Sequence, residues 1–174
     1  VIFLLRKNNE EQFQNKILHS QLTQSIYNQK ELNKIGVALS SEHNLDKLLS
    51  IILAESRSIT NSDSGSIYIV DDNSIDSNKR ELRFKVTQND SVNIFMEEFK
   101  LPISEKSIAG YVCLSGEPLN IDDAYLLPAT STFSINKDYD FTNNYITKSM
   151  LTIPMKNRDG EVTGIIQLIN KKTW

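Results

Sequence analysis

The chain has 174 residues, 39% hydrophobic and 24% charged, with a formal net charge of -3, which is one ordinary domain or one domain with an extension. At about 150 residues a globular domain buries roughly 70% of its unfolded surface, so the core needs no staple, and the single cysteine, Cys113, excludes an internal disulfide. A pI near 5.4 without a basic stripe argues against nucleic acid as a partner, since that affinity rests on Lys and Arg neutralising phosphates.

The opening Val1, Ile2, Phe3, Leu4, Leu5 followed by Arg6 and Lys7 reads in two ways. It is either the end of a membrane helix meeting basic cytoplasmic residues or the start of an amphipathic helix. Five residues neither span a bilayer, which takes roughly 20, nor form the core of a signal peptide. The expected location is cytoplasmic, free or as the cytoplasmic part of a membrane-anchored protein. From Asn8 to Leu39 there is no proline and only Gly36, which predicts a long helix. Leu18, Ser25, Leu32 and Leu39 fall seven apart, with Leu22, Gln29 and Gly36 in the companion seam, a poorly filled heptad. A marginal coiled coil joining two copies in a parallel homodimer and a plain helix packed on the following domain both fit it.

Asn44 caps a second helix whose apolar face is Leu45, Leu48, Leu49, Ile52, Leu53, Ser56 and Ile59, ending near Asn61. Then the period changes to two. Gly65 to Asp72 reads as a strand, Asp72-Asn73-Ser74 as a turn, and Leu82, Phe84 and Val86 as one face of a second strand closed by Gln88-Asn89-Asp90. Phe99, Leu101 and Ile103 give a third strand, Ser107 to Ser115 a helix stopped by Gly116, and Pro118 to Ile121 a fourth strand. Ser149 to Lys156 and Glu161 to Lys171 are strands joined at Asn157-Arg158-Asp159-Gly160, a hairpin signal. The last strand is apolar on both faces, which places it centrally. The order of elements defines an α+β domain: an antiparallel sheet with helices on its faces. The domain division expected is 1–34 for the helix and 35–174 for the globular part.

Catalysis finds little support. His19 and His43 both sit in polar surroundings, and no spacing matches a metal-binding pair, a nucleophile elbow or a phosphate loop. The expectation is no catalytic residue, no metal and no turnover by this chain. Cys113, in an apolar helix with no adjacent base or cation, reads as a small buried hydrophobe. Two features point instead to a binding site. Polar side chains interrupt apolar strands, with Ser66 opening the first and Gln167 inside Ile165 to Ile169; a buried amide needs a partner, which either a polar ligand held between sheet and loop or the loop itself supplies. And Asp122 to Lys148 is long for a structureless loop, the length range of functional lids or of disordered segments.

Four segments in order carry a family resemblance: Ser64-Gly65-Ser66-Ile67-Tyr68-Ile69-Val70-Asp71; Ser107-Ile108-Ala109-Gly110-Tyr111-Val112; Gly116 through Pro118 and Asp122-Asp123 to Tyr125; and Ser149 to Met155 running through Asp159-Gly160 to Gln167-Leu168-Ile169-Asn170-Lys171. Together they resemble a GAF domain, the small-molecule sensory module of phosphodiesterases, cyclases and bacterial signalling proteins, over Ile35 to Lys171. The stretch Leu82 to Ser91 is similar to GAF domains of bacterial receptors whose output is an HD-GYP phosphohydrolase or a nucleotide cyclase.

The resemblance implies a six-stranded antiparallel sheet, helices behind it, and a pocket on the other face closed by a lid with a short helix. It also implies a non-catalytic regulatory role, with an output domain in the same polypeptide, dimer helices that relay the signal, and a cyclic nucleotide, cyclic AMP or cyclic GMP, as the ligand to test first. Ser66, Asp140 and Thr147 match nucleotide-facing positions of the family. Asn143 stands where a lid threonine is expected and Gln167 where an acid is. Thr87-Gln88 replaces an aromatic–Asp pair, and the departures weigh more against cyclic GMP than cyclic AMP. The pocket expected from all of this is lined by Ser66, Gln88, Ile108, Ala109, Asp140, Asn143, Thr147 and Gln167. A ligand-free dimerisation and relay module is the alternative. A redox enzyme of the same fold is disfavoured by the lone cysteine.

Overall fold

The computed structural model describes residues 2–71, 80–93 and 98–172. They divide into two compact units, Val1–His43 and Asn44–Trp174. The first is one helix, α1 (Ile2–Ser41), whose described side chains are 12–37, 40 and 41. Along it Phe13, Leu18, Leu22, Ile26 and Leu32 are exposed, so the sparse apolar stripe is solvent-facing. The helix continues past residue 35 to Ser41. Leu39 of the heptad and the opening apolar run lie outside the described side chains, and the turn expected at Asp72-Asn73-Ser74 lies outside the described residues. Among those residues no helix is long and apolar enough to cross a membrane.

The second unit begins where the Asn44 side chain accepts from the Lys47 N–H, capping α2 (Leu45–Thr60). Asn61 ends α2 in the left-handed conformation, φ 53°, which asparagine tolerates well among non-glycine residues. The strands follow as β1 (Ser62–Asp71), β2 (Glu81–Asn89), β3 (Lys100–Pro102), β4 (Leu119–Ile121), β5 (Met150–Lys156) and β6 (Val162–Lys171), with α3 (Ile108–Ser115) and α4 (Lys137–Asn143) between them. They form one six-stranded sheet in the order β3-β2-β1-β6-β5-β4, every pair antiparallel. β6 is central, as its two-sided apolar pattern requires. β5 tolerates Pro154 because β4 pairs only as far as Thr152, leaving the strand an open edge at the proline. The β5–β6 hairpin turns at Gly160, φ 84°, and the Asn157 side chain accepts from the N–H groups of Asp159 and Glu161.

β1 starts three residues earlier than expected, because polar Ser62, Asp63 and Ser64 are drawn into the ladder by pairing with Lys171 to Ile169 on β6. From there alternation separates the two faces of the sheet. Ile67, Ile166 and Leu168 turn toward α2 and pack with Leu49 and Leu53. Gly65 lies on that face; a Cβ there would come within 2.8 Å of Leu53 Cδ1 and 2.9 Å of the Gln167 carbonyl oxygen, so glycine permits α2 to sit this close. Tyr68, Val70, Phe84 and Ile165 turn the other way, against Ala109 and Val112 of α3, with Cys113 half-buried at the edge of this cluster.

Leu53 is 0% exposed. Leu53→Ala removes most of α2's anchor and is expected to lower stability by about 2–5 kcal/mol. Urea denaturation reads it as a lowered midpoint with an unchanged slope.

Candidate ligand-binding site

Residues that pair directly across an antiparallel sheet share a face, and one set of pairs places polar groups in a row. Thr87 pairs with Ser66, Ser66 with Gln167, and Gln167 with Thr152. The row crosses the four central strands β2, β1, β6 and β5 on the face opposite α2. Ser66, Thr152 and Gln167 are all buried. Thr87 donates to the Gly65 carbonyl at 3.1 Å. The Gln167 amide nitrogen donates to Thr152 Oγ1 at 3.4 Å, long for an oxygen acceptor, and to Met150 Sδ at 3.4 Å, ordinary for sulfur. The Oε1 of the same amide receives no hydrogen bond from the described residues.

Over this row lies a cavity of about 510 Å³. Its apolar wall includes Tyr68, Phe84, Phe99 and Leu101. Phe84 and Phe99 stack with centroids 4.8 Å apart, and Tyr68 meets Phe84 edge-on at 5.5 Å. Ile108 and Ala109, the first residues of α3, form another wall with Met150 and Ile169. Ser107 caps α3 by accepting from the Gly110 N–H. A Cβ on Gly110 would fall 2.2 Å from the Ser104 carbonyl oxygen, so glycine lets the preceding loop fold against the first turn of the helix.

The segment 122–148 covers the cavity. It contains a single 3-10 turn (Ala124–Leu126) and α4, and its middle is tied to the loop before α3 by the Ser134 N–H donating to the Lys106 carbonyl at 3.0 Å. Asp140, at the centre, is 2% exposed. Its Oδ1 accepts from Thr147 Oγ1 at 2.7 Å, and its Oδ2 from the Thr147 N–H at 2.7 Å and Tyr125 Oη at 2.9 Å. The end of the segment is pinned twice more. Asn170, at φ 54°, donates to the Ile146 carbonyl and accepts from the Lys148 N–H. Tyr145 Oη donates to Asp63 Oδ2 at 2.9 Å. Asp63 also accepts from Ser91, while Arg57 of α2 donates to its carbonyl at 2.6 Å and pairs with Asp90. Lys172 and then Arg57 hold the Asp90 carboxyl below its ordinary range.

Of the residues expected in the pocket, Ser66, Ile108, Ala109, Thr147 and Gln167 line the cavity; Gln88, Asp140 and Asn143 do not. Gln88 pairs with Gly65 on the α2 face and bonds to the Ser50 carbonyl and Arg57. The cause is a bulge in β2: Ile67 pairs with Val86 and Tyr68 with Phe84, so the extra residue, Lys85, reverses the alternation. Thr87 rather than Gln88 then faces the cavity. Asp140 is turned into the lid, and Asn143 donates back to the Tyr139 carbonyl of its own helix. Residues not anticipated include Ser64, Thr87, Phe99, Lys106, Asn136 and Tyr139. Only Phe99, in an alternating apolar strand, carried a sequence signal for facing inward. Among the described residues no group of three or more His, Cys, Asp or Glu is placed to hold a metal ion.

Comparison with known proteins agrees with this geometry. The GAF domain family model matches residues 44–174, and the chain belongs to that family, whose members are regulatory and sensory modules of signalling proteins. A Drosophila melanogaster relative, dual 3',5'-cyclic-AMP and -GMP phosphodiesterase 11, is 31% identical over 173 residues; the match covers 96% of this chain and 11% of the relative. Two solved structures share the fold. The GAF domain of a phosphoenolpyruvate-protein phosphotransferase from Coxiella burnetii has a TM-score of 0.62 at 23% identity, covering 82% of this chain and 77% of that one. A methyl-accepting chemotaxis protein has a TM-score of 0.63 at 16% identity, covering 82% and 83%.

Burial pushes the Tyr139 hydroxyl up to about 12, helped by Tyr68 and Asp140, and raises Tyr68. Burial, then the bond to Asp63, raises Tyr145 as well. A phenol whose folded value lies above its unfolded value near 10 contributes stability that is complete below about pH 10 and lost as pH climbs through the folded value. Stability is therefore expected to fall between about pH 10 and 12. Tyr139→Phe is expected to flatten that fall in denaturation curves recorded across the range.

Proposed function

We propose that this domain is a non-catalytic sensor that binds a small molecule between the sheet and the 122–148 lid and relays occupancy through α1 to an output domain of the same polypeptide. The observation that carries this reading is Gln167. A buried amide whose Oε1 accepts no hydrogen bond from the described residues, on the floor of a cavity of about 510 Å³, has an acceptor to offer a ligand, and the cavity falls in the roughly 300–1,000 Å³ range of small-molecule sites. A cyclic nucleotide is the first ligand to test. The phosphodiesterase relative is named for cyclic AMP and cyclic GMP, and an amide beside Ser66 offers a purine edge both a donor and an acceptor. The aromatic wall suits a flat ring.

One observation favours the alternative of a ligand-free relay. Asp140 and Thr147 satisfy one another without a ligand. The relay itself rests on α1, whose exposed Leu18, Leu22 and Leu32 would be covered in a parallel homodimer.

Gln167→Met separates the readings, because it keeps the side-chain volume and removes the amide. Binding through the amide is expected to be lost while the fold is kept at a cost of about 1–3 kcal/mol, because the buried Thr152 hydroxyl loses its bond from Gln167. Affinity for cyclic AMP, read by calorimetry, is expected to fall by about tenfold or more. No heat from either nucleotide with the folded wild type favours the relay. For the dimer, light scattering is expected to give twice the chain mass, and removal of residues 1–43 to shift it toward the monomer.

A further inference from the structure

The two ends of the lid are fastened differently. At its start the backbone is seated: Ala124 is buried, with its N–H on the Lys148 carbonyl at 2.8 Å, and Asp123 caps the turn by accepting from the Tyr125 N–H at 2.9 Å. α4, which with its cap brings Asn136 and Tyr139 to the cavity wall, has fewer ties. Among the described residues, the hydrogen bonds and cation–ring contacts of α4 side chains with anything outside 136–148 both end on Tyr125. Its hydroxyl donates to Asp140 Oδ2 at 2.9 Å, and the Lys137 ammonium lies over its ring, 5.2 Å from the centroid.

This tie is built to be released. When Tyr125 leaves, the buried Asp140 carboxylate keeps both of its Thr147 donors, so its charge is not stranded. Tyr125 is itself 40% exposed, and an outward turn of its side chain hands the hydroxyl to water while the Ala124 backbone stays in place. The bond to Asp140 raises the Tyr125 hydroxyl above its ordinary range, so at neutral pH the phenol keeps its proton and donates. One side-chain rotation therefore unties α4 from the turn at the start of the lid.

We propose that Tyr125 is the catch of the lid: its side chain fastens α4 over the cavity, and its release lets a ligand pass. The passage role rests on the cavity being a ligand site, but not on the identity of the ligand.

Tyr125→Phe tests it, because it keeps the ring beneath Lys137 and removes the hydroxyl. Amide exchange without ligand is expected to run about tenfold or more faster over 140–147, where the N–H groups of Tyr145 and Thr147 donate to Asp140, with the amides of α2 unchanged. Equal acceleration in α2, as from a hydroxyl that only adds to overall stability, overturns the catch, and so does wild-type exchange in the lid. Stopped flow with the fluorescent probe N-phenylnaphthylamine reads passage. The variant is expected to bind and release it about tenfold faster, with affinity changed by less than about threefold. Unchanged rates overturn the passage role while leaving the ligand cavity intact. Failure of the probe to bind the wild type overturns the ligand reading of the cavity and the passage role with it, and exchange alone then decides whether Tyr125 fastens α4.

Discussion

The pairing of β1 with β6 is the interaction on which the rest of the structure depends. Its register sets Ser66 opposite Gln167 and Ile67 opposite Ile166, so a single alignment sends the first pair to one face and the second to the other. A slip of one residue would exchange them. The apolar face is sealed by α2 through Leu49 and Leu53. The other face is packed by α3 against Tyr68, Val70, Phe84 and Ile165, and around Ser66 and Gln167 it carries the cavity.

The lid answers a polar requirement from its own resources. Asp140 is buried without a cation, and three donors from the lid take its charge: Tyr125, and the N–H and hydroxyl of Thr147. Asn170 on β6 holds the backbone that follows, and Asp63 on β1 holds Tyr145. The lid is therefore tied to the ends of the same two strands whose middles form the cavity floor. Arg57 and Lys172 join that corner to α2 and to the residues just past β6 through Asp90. The polar bonds of the lid, the floor and the strand ends form one connected region.

Much of this was legible in the sequence wherever a local rule decides. Asn44 and Ser107 as caps, Gly116 as a stop and Asp159-Gly160 as a hairpin follow from backbone chemistry, and the central position of β6 follows from its two apolar faces. The early start of β1 was not legible, because Ser62 and Ser64 look like a turn and become strand only when β6 pairs with them. Nor was the face of Gln88. Counting by twos from Leu82 and Phe84 puts it in the cavity, and the bulge at Lys85 turns it away, a feature set by partner register and not by β2 itself. Asp140 matches its family position, but its direction is decided by Tyr125 and Thr147, which are distant in sequence or hidden in an irregular segment. Lys106 gave no signal at all, being one polar residue in a polar loop until the Ser134 contact fixes it at the cavity wall.

The central claim is that ligand enters the face opposite α2, between the polar row and the lid. Amide hydrogen exchange with and without a ligand that calorimetry shows to bind tests it most directly. The expected result is slowed exchange at residues 104–109 and 134–148 together, with the amides of α2 unchanged. Protection confined to α2, with the lid unaffected, would contradict it.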